Sequence, residues 1–223
     1  MAAEGVDRLD GATVRAGAGE AAEKGLCGII LAGGQSRRMG TDKALLRIGE
    51  TTLLRRLADQ MAALGLSRIV LSVGDGGREA VYREQLAGLA ANVVYVSDRY
   101  PDCGPLAGLH AALSALPEPG YGFVMACDMP LLSPSLFRRM AQTAATSREP
   151  DVIRTEGQPF HALYHTRIAD TLAKRLEQRD LRVMGLLGDL DTILLDCEPE
   201  EEAAFVNLNN PELFDQYLRQ LNR

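Results

Sequence analysis

Residues 31–43 read Leu-Ala-Gly-Gly-Gln-Ser-Arg-Arg-Met-Gly-Thr-Asp-Lys and follow the apolar run Cys27-Gly28-Ile29-Ile30. Paired glycines, Gly33 and Gly34, let a backbone approach a ligand closely and turn its N–H groups toward phosphate oxygens. Arg37, Arg38 and Lys43 add positive charge within the same short loop, and only Asp42 opposes them, in a chain of formal net charge −6. An acidic protein needs such a local reversal of sign to hold a triphosphate. The chain contains 21 arginines and only 3 lysines, so Lys43 is poorly explained as generic surface charge. A compact ammonium suits a phosphate oxygen approached as a point charge.

Two better-known phosphate loops do not fit. A Walker A loop runs G-x-x-x-x-G-K-[ST], whereas Gly40 is followed here by Thr41-Asp42-Lys43. The dinucleotide fingerprint G-x-G-x-x-G is absent from this loop. The segment therefore reads as the grip on a nucleoside triphosphate in neither a P-loop kinase nor a dehydrogenase.

Asp128 follows Phe123-Val124-Met125-Ala126 and is expected at the C-terminal edge of a strand, beside the first loop. One carboxylate is enough there, because Mg²⁺ prefers a few carboxylates completed by phosphates and water. Asp98 ends another apolar run, Val93-Val94-Tyr95-Val96, where an aspartate also suits a turn. His161 and His165 lie four apart in a stretch that reads as a strand, a spacing too wide for a shared metal, and no third ligand accompanies them. His110 sits in an Ala- and Leu-rich helix and reads as a packed residue.

These residues can converge only if the elements between them return to one edge. Short apolar runs are expected as strands over 27–32, 68–73, 92–96, 121–126, 151–154, 160–165 and 192–196. Helical spacing is expected over 52–64, 78–89, 106–116, from Pro134, and over 167–177, 182–187 and 211–221. Strand and helix in alternation imply parallel strands joined by crossover helices. The expected fold is α/β, a Rossmann-like three-layer sandwich around a mostly parallel central sheet. Ligands in such sheets bind beyond the C-terminal strand ends, which directs attention to the loops after Ala32, Val73, Val96 and Ala126.

The totals agree with one soluble domain over 26–223. The chain has 223 residues and 46% hydrophobic residues, enough for a sizeable core. Its acidity argues against nucleic acid, and no apolar run approaches the ~20 residues of a membrane helix. Cys27, Cys103, Cys127 and Cys197 form no C-x-x-C pair and read as free thiols in a reducing cytoplasm. Residues 1–25, rich in Ala, Gly and acidic residues without apolar periodicity, are expected as a disordered extension rather than a secretory signal.

The sequence resembles the molybdenum cofactor guanylyltransferases, the MobA type of nucleotidyltransferase. The resemblance rests on Leu31-Ala32-Gly33-Gly34, Arg38-Met39-Gly40 and Asp42-Lys43. It continues through Asp98, Gly104-Pro105-Leu106-Ala107-Gly108, Cys127-Asp128-Met129-Pro130, Arg182-Val183-Met184 and Val206-Asn207-Leu208-Asn209-Asn210-Pro211. It covers roughly residues 26–221. It implies a nucleotide-binding N-terminal half, with Leu31, Ala32, Gly33, Gly34, Lys43, Ser72, Asp98 and Asp128 at the nucleotide. It implies an acceptor-binding C-terminal half, for which Arg182, Asn207 and Asn209 are candidates that would serve equally as helix and turn caps. Where some relatives end the second strand with Asn, this chain has Ser72, whose hydroxyl lacks the amide's donor-acceptor pair.

The implied reaction is attack by the phosphate of a molybdopterin-type acceptor on the α-phosphorus of GTP, with pyrophosphate leaving. Lys43, Arg37, Arg38 and an Mg²⁺ held at Asp128 would neutralise charge; no side-chain nucleophile is required. Transient contact with other cofactor-biosynthesis proteins would fit such a step. A cytidylyl- or sugar-phosphate nucleotidyltransferase would carry a similar loop, and a nucleotide-binding regulator without turnover is the rival of another class.

Overall fold

The computed structural model describes residues 25–34, 42–117 and 119–221. Arg37 and Arg38, and nearly all of the extension expected over 1–25, lie outside the described residues.

The central sheet has seven strands in the order β5-β4-β1-β6-β8-β7-β9. β1 is Leu26–Leu31, β4 Arg68–Ser72, β5 Asn92–Val96 and β6 Tyr121–Ala126. β7 is Val152–Thr155, β8 His161–His165 and β9 Thr192–Leu195. Every pairing is parallel except the two made by β8. The reversal follows from the connection. β7 and β8 are joined only by residues 156–160, too short for the crossover that parallel neighbours need, so they pair antiparallel. Gly157, at φ 72°, turns that hairpin.

Helices cover both faces, giving the three layers. On one face lie α1 (Leu53–Ala63), α2 (Glu79–Gln85) and α4 (Pro134–Thr146). On the other lie α3 (Pro105–Leu113), α5 (Ala169–Glu177) and α6 (Val183–Asp189). β1 shows why both are needed: all six of its residues are buried, and Ile30 packs into one core while Ile29 packs into the other. Leu57 of α1 is wholly buried, so truncation to Ala would cost about 2–5 kcal/mol.

Two pieces had no period to announce them. Arg47–Ile48 and Thr51–Thr52 form a short hairpin, β2 and β3. Its Thr52 then caps α1 by accepting from Arg55 N at 3.2 Å. Ile48, Leu53, Leu208 and Tyr217 make a small third core that docks the C-terminal helix α7 (Pro211–Leu221). The histidines are structural. His161 packs edge-on between Phe123 and Phe205, and burial lowers its pKa to about 4, so it is neutral at neutral pH. His165 meets Tyr121, and His110 meets Tyr100.

Candidate active site

Strand order reverses at the middle of the sheet. From β1 the chain steps outward to β4 and β5, then returns to place β6 on the other side of β1. The loops after β1 and β6 therefore diverge and leave a crevice at their C-terminal ends. A cleft of about 960 Å³ occupies it, within the size range of small-molecule sites. Leu31, Gly33, Gly34, Lys43, Ser72, Asp98 and Asp128 all line it.

Lys43 and Asp128, 85 residues apart, meet here. Lys43 Nζ donates to Asp128 Oδ2 at 3.1 Å and to Asn209 Oδ1 at 2.9 Å. Backbone bonds explain the convergence. Cys127 N donates to Leu31 O, Met129 N to Ala126 O, and Leu208 N to Asp128 O, so Asp128 is pinned to the end of β1 and to the C-terminal segment. Lys43 opens a 3₁₀ turn, Lys43–Leu45, capped by Asp42, whose Oδ1 accepts from Ala44 N at 3.1 Å.

The glycines make close approach possible. A Cβ on Gly33 would lie 2.9 Å from Gly74 Cα, so the β1 and β4 loops touch only because both residues lack side chains. A Cβ on Gly108 would lie 2.6 Å from Ser72 Oγ, which lets α3 sit against the end of β4. Ser72 Oγ donates to Asp98 Oδ1 at 3.2 Å. Burial raises the pKa of Asp98 above the usual carboxylate range, and the Ser72 bond only partly offsets this. The serine is thus committed to aligning Asp98, a role that a short hydroxyl can fill. Ala32 is buried away from the cleft and contributes backbone, donating to Ser72 O at 3.0 Å.

Cys127 lies in the cleft but is no nucleophile: burial, then neighbouring Asp128, pushes its thiol up to about 12. Among the described residues no group of three or more His, Cys, Asp or Glu could hold a metal. An ion at this edge would have Asp128 as its protein carboxylate and would be completed by substrate oxygens, the arrangement Mg²⁺ favours.

The far wall is the β7–β8 hairpin, with Gly157, Gln158, Pro159 and Phe160, together with Asn207 and Asn209. Arg182 is not part of it. Its side chain is 80% exposed and pairs with Asp180 at 2.9 Å.

No motif marks two side chains that brace the near wall. Arg78 Nη1 donates to Gly34 O and to Asp42 Oδ2, each at 3.2 Å, and Nη2 donates to Gly33 O at 3.2 Å. The Tyr82 hydroxyl donates to Asp42 Oδ2 at 2.6 Å and lies 3.3 Å from Ala32 O. Their one sequence signal is spacing: Arg78 and Tyr82 stand four apart on one helical face, just past the turn that follows β4.

Residues 28–192 match the MobA-like NTP transferase domain. The chain belongs to that family. It is therefore a nucleotidyltransferase, and the cleft at the strand reversal lies where this fold binds ligands. A molybdenum cofactor guanylyltransferase of Vibrio cholerae is 31% identical over 85% of this chain and 89% of its own. Molybdopterin-guanine dinucleotide biosynthesis protein A of Archaeoglobus fulgidus has the same fold, with TM-score 0.71, 21% identity, and coverage of 87% of this chain and 98% of that one. Rv0371c of Mycobacterium tuberculosis, solved in complex with manganese, gives TM-score 0.58 at 20% identity over 87% and 98%.

Proposed function

We propose that this enzyme transfers GMP from GTP to molybdenum-bearing molybdopterin, forming the guanine dinucleotide cofactor and releasing pyrophosphate. The observation that carries the reading is the Lys43–Asp128 pair, set beside Gly33 and Gly34 in a cleft whose opposite wall is uncharged and open. The name of the 31% identical relative supports the guanine base and the molybdenum cofactor.

An oxygen of the acceptor's terminal phosphate attacks the α-phosphorus of GTP in line, and the bond to the bridging oxygen of the leaving pyrophosphate breaks. Phosphate is already ionised at neutral pH, so no side chain removes a proton to make the nucleophile. Lys43 neutralises charge on the triphosphate, with Gly33 and Gly34 supplying backbone donors; Arg37 and Arg38 add charge from the same loop. Asp128 would hold the Mg²⁺, which would supply Lewis-acid neutralisation of the phosphates. The manganese complex of the M. tuberculosis neighbour is in keeping with a divalent ion here. Ser72 and Asp98 serve the nucleoside, while Asn207 and Asn209 face the acceptor and Arg182 is a peripheral charge for it. No helix among the described residues is long and apolar enough to cross a membrane.

The test is base selectivity. With magnesium and molybdopterin as acceptor, GTP is expected to release pyrophosphate while CTP and UTP do not. Equal or better turnover of CTP would overturn the guanylyl assignment, and no turnover of any triphosphate would overturn the reading as a transferase for this acceptor.

A further inference from the structure

Arg78 and Tyr82 stand outside every motif quoted above, yet together they tie the two ends of the phosphate-facing loop to one helix face. The Asp42 carboxylate is fully committed: Oδ1 accepts from Ala44 N, and Oδ2 accepts from both the Tyr82 hydroxyl and Arg78 Nη1. Asp42 caps the turn that Lys43 begins, so anchoring Asp42 sets where the Lys43 stem leaves the backbone. At the other end Arg78 grips Gly33 O and Gly34 O. A trans peptide is planar, with its C=O and the following N–H pointing in opposite directions. Pulling Gly33 O toward Arg78 therefore turns Gly34 N–H away from α2. The Tyr82 side chain is wholly buried, and its pKa is raised by burial and then by Asp42, so it remains an O–H donor throughout the neutral range.

We propose that Arg78 and Tyr82 are positioning residues for nucleotidyl transfer, aiming the Gly34 amide and Lys43 at the same triphosphate. Arg78 does this through a fork to three acceptors, a geometry lysine cannot reproduce. The inference rests on the reading that Gly34 and Lys43 hold the triphosphate.

The experiment measures the Kd of magnesium–GTP, and kcat and KM for both substrates, in Tyr82→Phe, Arg78→Lys, Lys43→Ala and the Lys43→Ala/Tyr82→Phe double variant. Thermal melts serve as the control for folding. Tyr82→Phe is expected to weaken GTP binding on the order of 10-fold, as for loss of one hydrogen bond to a charged group. Arg78→Lys is expected to lower kcat/KM for GTP by roughly 10–100-fold by the same reasoning. In both variants the KM for the acceptor should be unchanged, a split that general loosening would not produce. In the Lys43→Ala background Tyr82→Phe should add little, because its effect passes through Lys43. Fully additive losses, or wild-type GTP binding in both Tyr82→Phe and Arg78→Lys, would overturn the inference while leaving the site intact. Unchanged GTP binding in Lys43→Ala would instead overturn the reading of the site itself. If Tyr82→Phe does not fold, Arg78→Lys decides the matter, since Arg78 is partly exposed.

Discussion

The two walls of the cleft are built differently. The near wall stands on the ends of parallel strands β1 and β4, where the backbone is fixed by ladder bonds and glycine contacts, and its charged groups are braced by Arg78 and Tyr82. The far wall is a hairpin tip and a C-terminal segment, with Asn209 exposed and no charged group among the residues that line the cleft there. A triphosphate is small, highly charged and the same in every turnover, so a rigid, preorganised wall gains most from it. On the proposed function, a larger and chemically mixed acceptor would meet the uncharged lining opposite, where the protein presents hydrogen-bonding groups and no fixed charge. Lys43 joins the two, since its ammonium bonds Asp128 on one side and Asn209 on the other.

That contrast breaks first at Lys43 and Asp128. Lys43→Ala or Asp128→Ala is expected to lower kcat by at least about 100–1,000-fold, the cost of removing one preorganised charge-stabilising group. The fold should remain, as circular dichroism and a melt would show. Near-normal kcat in either variant would leave the near wall without its chemical role.

A smaller effect sharpens the account of the near wall. The Ser72 bond favours ionised Asp98, so Ser72→Ala should raise the Asp98 pKa further. If the carboxylate serves the nucleoside, the acidic limb of the pH profile of kcat/KM for GTP moves to higher pH. The sign for stability is separate. A carboxyl that holds its proton more tightly folded than unfolded contributes stability at low pH, and that contribution is lost as pH rises through the folded pKa. A limb that stays put or moves to lower pH would remove Asp98 from the nucleoside site.

The smallest effects belong to the two remaining acceptor candidates, Asn209 on the far wall and Arg182 outside it. Asn209→Ala is expected to raise the acceptor KM several-fold, in keeping with one hydrogen bond. Arg182→Ala is expected to change it by less than about threefold, since an exposed ion pair is worth little. Steady-state kinetics with varied acceptor checks both. A larger loss for Arg182 than for Asn209 would move the acceptor away from the far wall.

The same asymmetry governed what could be read from the chain. Ile29-Ile30-Leu31 and Phe123-Val124-Met125-Ala126 announce buried strands, and the loops after them carry Gly33, Lys43 and Asp128, so local patterns marked both the scaffold and its charged groups. Arg78 and Tyr82 carried no motif because their partners are backbone carbonyls and a carboxylate 36 to 50 residues away. Beyond their four-residue spacing, nothing local distinguishes them from surface residues of a short helix. Asn209 stood out as one asparagine of a C-terminal motif, but its bond to Lys43 spans 166 residues and has no local signature. The β2–β3 hairpin has only two residues per strand, too few for alternation to show.

That 166-residue span also bears on when the enzyme becomes competent. At translation rates of about 5–20 residues per second, roughly 10–30 s separate the synthesis of Lys43 from that of Asn209. All seven strands of the central sheet precede residue 208, but until it is made Asp128 lacks the Leu208 amide and Lys43 lacks its second acceptor. A nascent chain can therefore own a nearly complete sheet while its nucleotide pocket is unfinished. Completion of the pocket waits for residues 208 and 209.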